Sequence, residues 1–330
     1  MPRALVVGGT SAVGRAIALA FRDDGWDVTV ASRSSELDGL RNVHFDRDED
    51  GAVQAAARGV DALVDVVPFE VRHAEQLLAA DAGAVVAISS ASVYTDDVGR
   101  TFDEAREPPD FPDLPVPIPE SQPTVEPGDA TYSTKKRALE DTLLENARVP
   151  TTIVRPCAVY GRGDRLAREW FFVKRALDRR PFIVLTNRGE NVFHTTAAEN
   201  IGRLVRLAVG KRVTGIFNCG DPDPPSVLEI ARRIGAAAGH EWEEVLLPSP
   251  GARGEVGQTP WSTAKPLVVD TSKAERELGY EPATTWSDAI DPQVEWLIEV
   301  TDGRDWKEAL PNGADYLSFD YAAEDELVRG

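Results

Sequence analysis

Cysteine, methionine, histidine and positive charge are all scarce in this chain of 330 residues. Two cysteines, Cys157 and Cys219, are too few for a disulfide framework and read as reduced packing residues. Four scattered histidines show no ligand spacing, so no metal site is expected. No apolar run approaches the roughly 20 residues that span a bilayer, so no membrane contact is expected. The opening MPRALVVGGT enters an apolar strand directly, without the charged, apolar and cleavable regions of a signal peptide; a cytoplasmic protein is the expectation. Basic residues number 36 against 55 acidic, a formal charge of −19 that repels phosphate backbones. Lys135-Lys136-Arg137 and Arg179-Arg180 are only short basic clusters, so no nucleic-acid partner is expected.

Apolar residues are plentiful, at 42%, and the length suggests two domains or one two-lobed domain. The first half alternates strands with helices. Residues 4–7, 27–31, 43–45, 62–67 and 84–88 read as strands, and the stretches to 24, 51–58 and 70–81 as helices. Near-continuous apolar strands between helices imply an α/β fold with a doubly wound parallel sheet covered on both faces. From 96 to 129 no period is visible, acids dominate, and eight prolines lie between Pro108 and Pro127. That stretch reads either as a functional lid or as a solvated insertion. Order returns with a helix over 131–146, a strand at 151–155, a helix around 165–177 and a strand near 182–185. A helix at 197–209, a strand at 215–219 and a helix at 225–238 follow, then a looser region over 239–300. The acidic segment 301–330 carries Trp306, Tyr316, Phe319 and Tyr321, which can pin it to the body.

The chemistry begins at Gly8-Gly9-Thr10-Ser11-Ala12-Val13-Gly14, between a strand and a helix. A dinucleotide pyrophosphate needs backbone N–H groups at a helix N-terminus and no side chain in the way. Gly8 permits the tight turn and Gly14 close helix–sheet packing, while Ser11 takes the middle small position. The second strand ends in Ser32-Arg33 with no acid to meet ribose hydroxyls, and a guanidinium flanked by hydroxyls suits a 2′-phosphate. NADP is therefore expected, with NAD as the alternative. Asp46 is placed for the adenine amino group, and Arg47, Val67, Pro68 and Ser89 complete the candidate cofactor set on this side. Tyr132 and Lys136 stand at i and i+4, on one helix face, where an ammonium would lower the phenol pKa. Ser90, past the strand 84–88, offers a hydroxyl to a carbonyl oxygen.

Together the segments Gly8–Gly14, Ser89–Tyr94, Tyr132–Lys136, Arg155–Gly161 and Val269–Pro282 resemble those of extended short-chain dehydrogenases/reductases of the NAD-dependent epimerase/dehydratase type. The resemblance runs from residue 1 to about 298. It implies a Rossmann domain over 1–158, with 191–210 returning to it, a smaller C-terminal substrate lobe over 159–190 and 211–300, and commonly a homodimer. It further implies Tyr132 as general acid/base, Ser90 orienting the carbonyl, and Lys136 binding nicotinamide ribose and tuning Tyr132. Pro156 and Val159 would lie near the nicotinamide. Three features depart from the pattern. Ser11 replaces the middle glycine, as in atypical relatives. Glu190 stands where nucleotide-sugar enzymes usually offer an arginine to the diphosphate. The Pro-rich insertion is long enough to reshape the pocket mouth, where its acids mildly favour a neutral or cationic substrate.

The leading expectation is an NAD(P)-dependent oxidoreductase moving hydride to or from a carbonyl or hydroxyl carbon of a small, sugar-like substrate. The alternative is an epimerase or dehydratase with tightly held NAD acting on a sugar or nucleotide sugar. A third reading is a non-catalytic dinucleotide sensor or RNA-binding relative. Trp170, Phe171, Phe172, Trp242 and Trp261 are expected in cores, and His194 as a structural residue.

Overall fold

A computed structural model describes residues 1–103, 110–249 and 256–329. Its strands are β1 (Arg3–Val7), β2 (Asp27–Ser32), β3 (Arg41–His44), β4 (Ala62–Asp65), β5 (Val85–Ile88), β6 (Thr151–Pro156), β7 (Ala158–Tyr160), β8 (Phe182–Leu185), β9 (Thr195–Ala197), β10 (Gly215–Cys219) and β11 (Glu243–Leu246). The helices of the first half are α1 (Ala12–Asp23), α2 (Ala52–Ala56), α3 (Val71–Leu78) and α4 (Tyr132–Glu145). Then come α5 (Trp170–Leu177), α6 (Ala198–Lys211), α7 (Val227–Ala237), α8 (Ser272–Leu278) and α9 (Trp286–Thr301). The chain closes with α10 (Trp306–Ala309), α11 (Pro311–Tyr316) and α12 (Tyr321–Arg329). Among the described residues no helix is long and apolar enough to cross a membrane.

Seven strands form one sheet in the order β10-β6-β5-β4-β1-β2-β3, every neighbouring pair parallel. β4 and β5 are buried along their whole length, as strands covered on both faces must be. On one face Ile17 and Phe21 of α1 pack with Ile201, Leu204 and Val205 of α6; on the other lie Leu77 of α3 with Leu139 and Leu143 of α4. The chain leaves β1 toward β2 and later returns to β4 on β1's other side. That reversal opens a crevice at the carboxyl ends of β1 and β4.

A second core holds α5, α7, α9 and the two short parallel pairs β7–β9 and β8–β11. Trp170, Phe171, Phe172 and Trp261 are buried there, with Trp261 stacked on Phe172 at 5.9 Å between centroids. The acidic tail belongs to this core: Leu310 and Leu317 are buried, and Phe319 stacks on Phe171 at 6.0 Å.

Several expected boundaries are corrected. The helix expected around 165–177 begins at Trp170, because Asp164 caps the N–H groups of Leu166 and Ala167 in a turn before it. The described part of 239–300 is more ordered than expected, since α8 and nearly all of α9 lie within it. The span 211–300 is not wholly in the smaller lobe: β10 is an edge of the large sheet, and Ala274 and Leu278 of α8 join its core. Of 191–210, α6 packs on α1 while β9 pairs with β7.

The insertion carries neither helix nor sheet strand in its described part, yet it is stitched down. Burial works to raise the Asp96 carboxyl, but N–H groups of Asp113, Arg100 and Val98 and the Arg100 guanidinium outweigh it and hold it down at about 2. Ile118 is buried and bridges to Val269. Residues 104–109, with Pro108 and Pro109, lie outside the described residues, as do 250–255 of the expected lobe and Gly330.

One buried ion pair ties the large sheet to α4. Arg155 of β6 donates from Nε to Glu140 of α4 at 3.0 Å, both side chains almost fully buried, and its guanidinium lies 4.9 Å from the Tyr94 ring centroid. Breaking a buried pair leaves a charge without a partner. Glu140→Ala is therefore expected to cost about 3–5 kcal/mol in urea unfolding, and Glu140→Leu with Arg155→Met to recover part of that loss, the remainder reflecting Lys136 left with one carboxylate fewer.

Candidate active site

The turn after β1 has the shape its glycines suggest. Gly8 sits at φ +76°, and a Cβ on Gly14 would lie 2.3 Å from the Gly8 carbonyl oxygen. No side chain fits there. Ser11 caps α1, donating from Oγ to the Gly8 carbonyl at 2.8 Å and accepting from Gly14 N at 3.2 Å. The N–H groups of Ala12 and Val13, in the first turn of α1, are left pointing out of the helix end.

In front of them lies a cleft of about 790 Å³. Of the expected cofactor residues it gathers Gly8, Thr10, Ser11, Ala12, Val13, Ser32, Arg33, Asp46, Arg47, Val67 and Val159. Arg33 is exposed and has no ion-pair partner among the described residues. Two neighbours are already committed. Ser32 Oγ donates to the Ser35 carbonyl. Arg47 grips the fully buried Asp65 (Nη2–Oδ2 2.8 Å), the Val67 carbonyl at 2.9 Å and Gln76 at 3.1 Å, so it shapes the cleft floor rather than offering free charge. Gly14 and Pro68 do not line this cleft: Gly14 N donates to Ser11 Oγ, and the Pro68 carbonyl accepts from Lys136.

A second cleft of about 590 Å³ joins the first through shared walls at Phe69, Val159 and Asp164. It holds Ser89, Ser90, Tyr132, Lys136 and Pro156 together. Thr131 caps α4 in a reciprocal box with Thr134, which aims the first turn, and Tyr132 with it, at the cleft. Ser90 Oγ accepts from Ser92 N at 3.1 Å, and Ser89 is 4% exposed with no partner for its hydroxyl among the described residues.

Lys136 is held by backbone carbonyls. Its Nζ donates to the carbonyls of Pro68 at 2.6 Å and Ile88 at 2.9 Å, lying 5.6 Å from the Tyr132 ring centroid. Burial depresses the ammonium to about 8, against the fields of Asp65 and Glu140. The Tyr132 phenol is raised above its usual value by partial desolvation at the cleft wall, with the Asp103 carboxylate adding to the shift and a hydrogen bond with Ser90 opposing it, although the residue is still 46% exposed.

Sequence reasoning missed much of this cleft's wall. Phe102, Asp103 and Phe111 come from the insertion, Asp103 accepting from Ser133 N at 2.9 Å. Arg168 follows β7 and is joined by residues from Gln258 to Thr263 and by Tyr316 of the tail. Glu190 is exposed and is not among the described residues lining the cleft, whereas Arg168 is, so the missing arginine near 190 does not leave the cleft without a cation. Arg168 donates to the Val159 carbonyl at 3.2 Å. His194 is structural: Nδ1 accepts from Val269 N at 3.1 Å, which leaves Nε2 to donate to the Asp221 carbonyl at 2.7 Å.

The sequence pattern described as the NAD dependent epimerase/dehydratase family matches residues 4–220. No curated protein matches the sequence. Solved structures similar to this one include UDP-N-acetylglucosamine 4-epimerase from Bacillus cereus, with TM-score 0.67 and 17% identity over 89% of this chain and 99% of that one. UDP-glucose 4-epimerase from Thermotoga maritima, solved with UDP-glucose, gives TM-score 0.68 and 17% identity over 90% and 99%. MoeE5 in complex with UDP-glucose and NAD gives TM-score 0.66 and 18% identity over the same shares.

The depressed ammonium predicts a pH dependence. The folded value near 8 lies below the ordinary 10.5, so between the two the unfolded chain binds more protons and raising pH favours the fold. Below about 8 the burial penalty is fully present. From pH 7.5 to 9.5 the urea midpoint of the parent should climb relative to that of Lys136→Met; parallel curves would show an unstrained lysine.

Proposed function

This chain belongs to the NAD dependent epimerase/dehydratase family, and from that membership we propose an epimerase-like enzyme that oxidises and re-reduces one carbon of a small hydroxylated substrate. The carrying observation is the pair of clefts that share Phe69, Val159 and Asp164, one with the glycine turn and the other with Ser90, Tyr132 and Lys136. The residues present fit a nicotinamide dinucleotide. The space at Gly14 excludes any side chain, the α1 N–H groups suit a pyrophosphate, and the Ser89 hydroxyl is buried without a partner. Such a dinucleotide, when bound, accepts a hydride and returns it.

The chain's own residues handle the proton and the orientation. Ser90 orients the substrate oxygen at the strand end. Tyr132, entering as its phenolate, takes the substrate hydroxyl proton as the carbonyl forms and, now a phenol, returns that proton as the carbonyl is reduced. Lys136 holds the ends of two strands and the α4 helix in one arrangement through its two carbonyl contacts. Turning the substrate to present its other face requires walls without fixed hydrogen bonds, and Phe102, Phe111, Phe193 and Leu267 supply them. Sugars and nucleotide sugars are the substrate class this reading favours, in keeping with the UDP-sugar epimerases of similar fold.

A specific observation favours a second reading, an NADP-dependent reductase: Arg33 follows β2 in the cleft with no ion-pair partner among the described residues, and the strand itself ends in Ser32 rather than an acid. Denaturing the purified protein and identifying the released dinucleotide separates the two. Retained NAD supports the internal cycle; an empty protein that binds NADP more tightly supports the reductase. Arg33→Ala should then weaken NADP about tenfold and leave NAD unchanged, in line with the loss of one charge-assisted contact. Tyr132→Phe should leave dinucleotide affinity within about twofold and lower turnover about 10²- to 10⁴-fold. Full turnover in that variant would remove Tyr132 from the mechanism.

A further inference from the structure

The tail lies beyond the matched residues 4–220, yet it reaches both clefts. Asn312 lines the cofactor cleft and Tyr316 the substrate cleft, one helical turn apart on α11. Backbone contact fixes α11 in that place. Gly313 N donates to the Arg165 carbonyl at 2.9 Å, and a Cβ on Gly313 would lie 2.9 Å from the Leu166 carbonyl oxygen. The segment beneath is itself a wall of the cofactor cleft through Gly163, Asp164 and Arg165. A Cβ on Gly163 would sit 3.7 Å from the amide nitrogen of Ala12, at the N-terminus of α1. Asn312 therefore stands on the rim of the place where that helix end presents its N–H groups, beside an Arg165 with no ion-pair partner among the described residues.

The rest of the tail is latched to the smaller lobe. Trp306 lies 6.2 Å from Trp170 between centroids, and Phe319 stacks on Phe171. Glu324 of α12 meets Arg175 of α5 at 2.6 Å with both side chains buried, and Tyr321 donates to Asp178 at 2.7 Å. Opening the cleft on this side means disturbing those contacts.

We propose that α11 is part of the cofactor site: Asn312 donates its amide to the phosphates of the bound dinucleotide, and the docked tail slows its release. This rests on the reading of the first cleft as a dinucleotide site. Slow release is what an internal oxidation–reduction cycle needs, since the hydride must return before the carrier leaves. The assignment is also consistent with Glu324 and Asp325 of the tail turning toward Arg175 and Arg180 while a neutral amide faces the cleft.

The test is the release rate of NADH and NADPH from the full-length protein, followed by stopped-flow fluorescence on displacement. Asn312→Ala is expected to speed release about tenfold, the effect of one hydrogen bond to a charged group. Asn312→Asp is the sharper variant. A carboxylate in the first turn of α11 favours the helix, so the melting temperature should hold or rise, while release accelerates more than in Asn312→Ala through repulsion with phosphate. A purely structural asparagine would give the reverse ranking. Phe319→Ala, remote from both clefts, should also speed release by loosening the latch. Release within twofold of the parent in all three variants would overturn the inference while leaving the cofactor reading intact. Failure of the parent to bind either dinucleotide would overturn that reading and the inference with it.

Discussion

Lys136 is an ammonium ion with almost no water around it, 3% exposed, and the working end of the molecule is organised by what that ion demands. A buried cation needs acceptors and a compensating field. The acceptors are carbonyls just beyond β4 and at the end of β5, so the ion draws the ends of two strands to one helix. The field comes from Asp65 and Glu140. Each of those carboxylates is held in turn, Asp65 by Arg47 and Glu140 by Arg155. The result is a buried chain of alternating charge, from the cofactor cleft floor to Tyr94, in which every member depends on its neighbours. Low dielectric makes such a chain rigid when complete and costly when broken.

On that base the two clefts are built by different means. The cofactor side rests mainly on strand ends and one helix N-terminus, elements held by the large sheet. The substrate side is assembled from an insertion, from the turn before α5, from residues 258–263 and from the tail. Asp96 shows how a segment without helix or strand keeps a fixed form, since one carboxylate collects three backbone N–H groups and a guanidinium.

The parallel strands of the first half were legible because burial on both faces writes them as short apolar runs. Ser90, Tyr132 and Lys136 were legible because a strand end and an i, i+4 pair are local patterns. Other elements left no such mark. β7 and β9 have three residues each, too few for a period, and β11 reads Glu-Glu-Val-Leu with exposed ends. Pro292 interrupts the helical pattern of α9, where its missing N–H argues against the helix that packing nevertheless enforces. Asp103, Arg168, Asn312 and Tyr316 are single residues far apart in sequence, joined only by tertiary structure. The raised Tyr132 phenol reflects partial desolvation at the cleft wall and the nearby Asp103, neither of which the spacing of Tyr132 and Lys136 reveals.

The strand order carries a kinetic consequence. No two neighbours in the large sheet are joined by a hairpin, and the last strand to enter, β10, lies more than two hundred residues from β1. Each added strand must close a loop through a crossover before its contacts repay the lost entropy, so assembly is slow and partly formed sheets present bare apolar edges. Against that hazard stands the excess of 19 negative charges. Spread over a chain that is otherwise rich in apolar strands, it makes two half-assembled molecules repel at the range where their edges would pair.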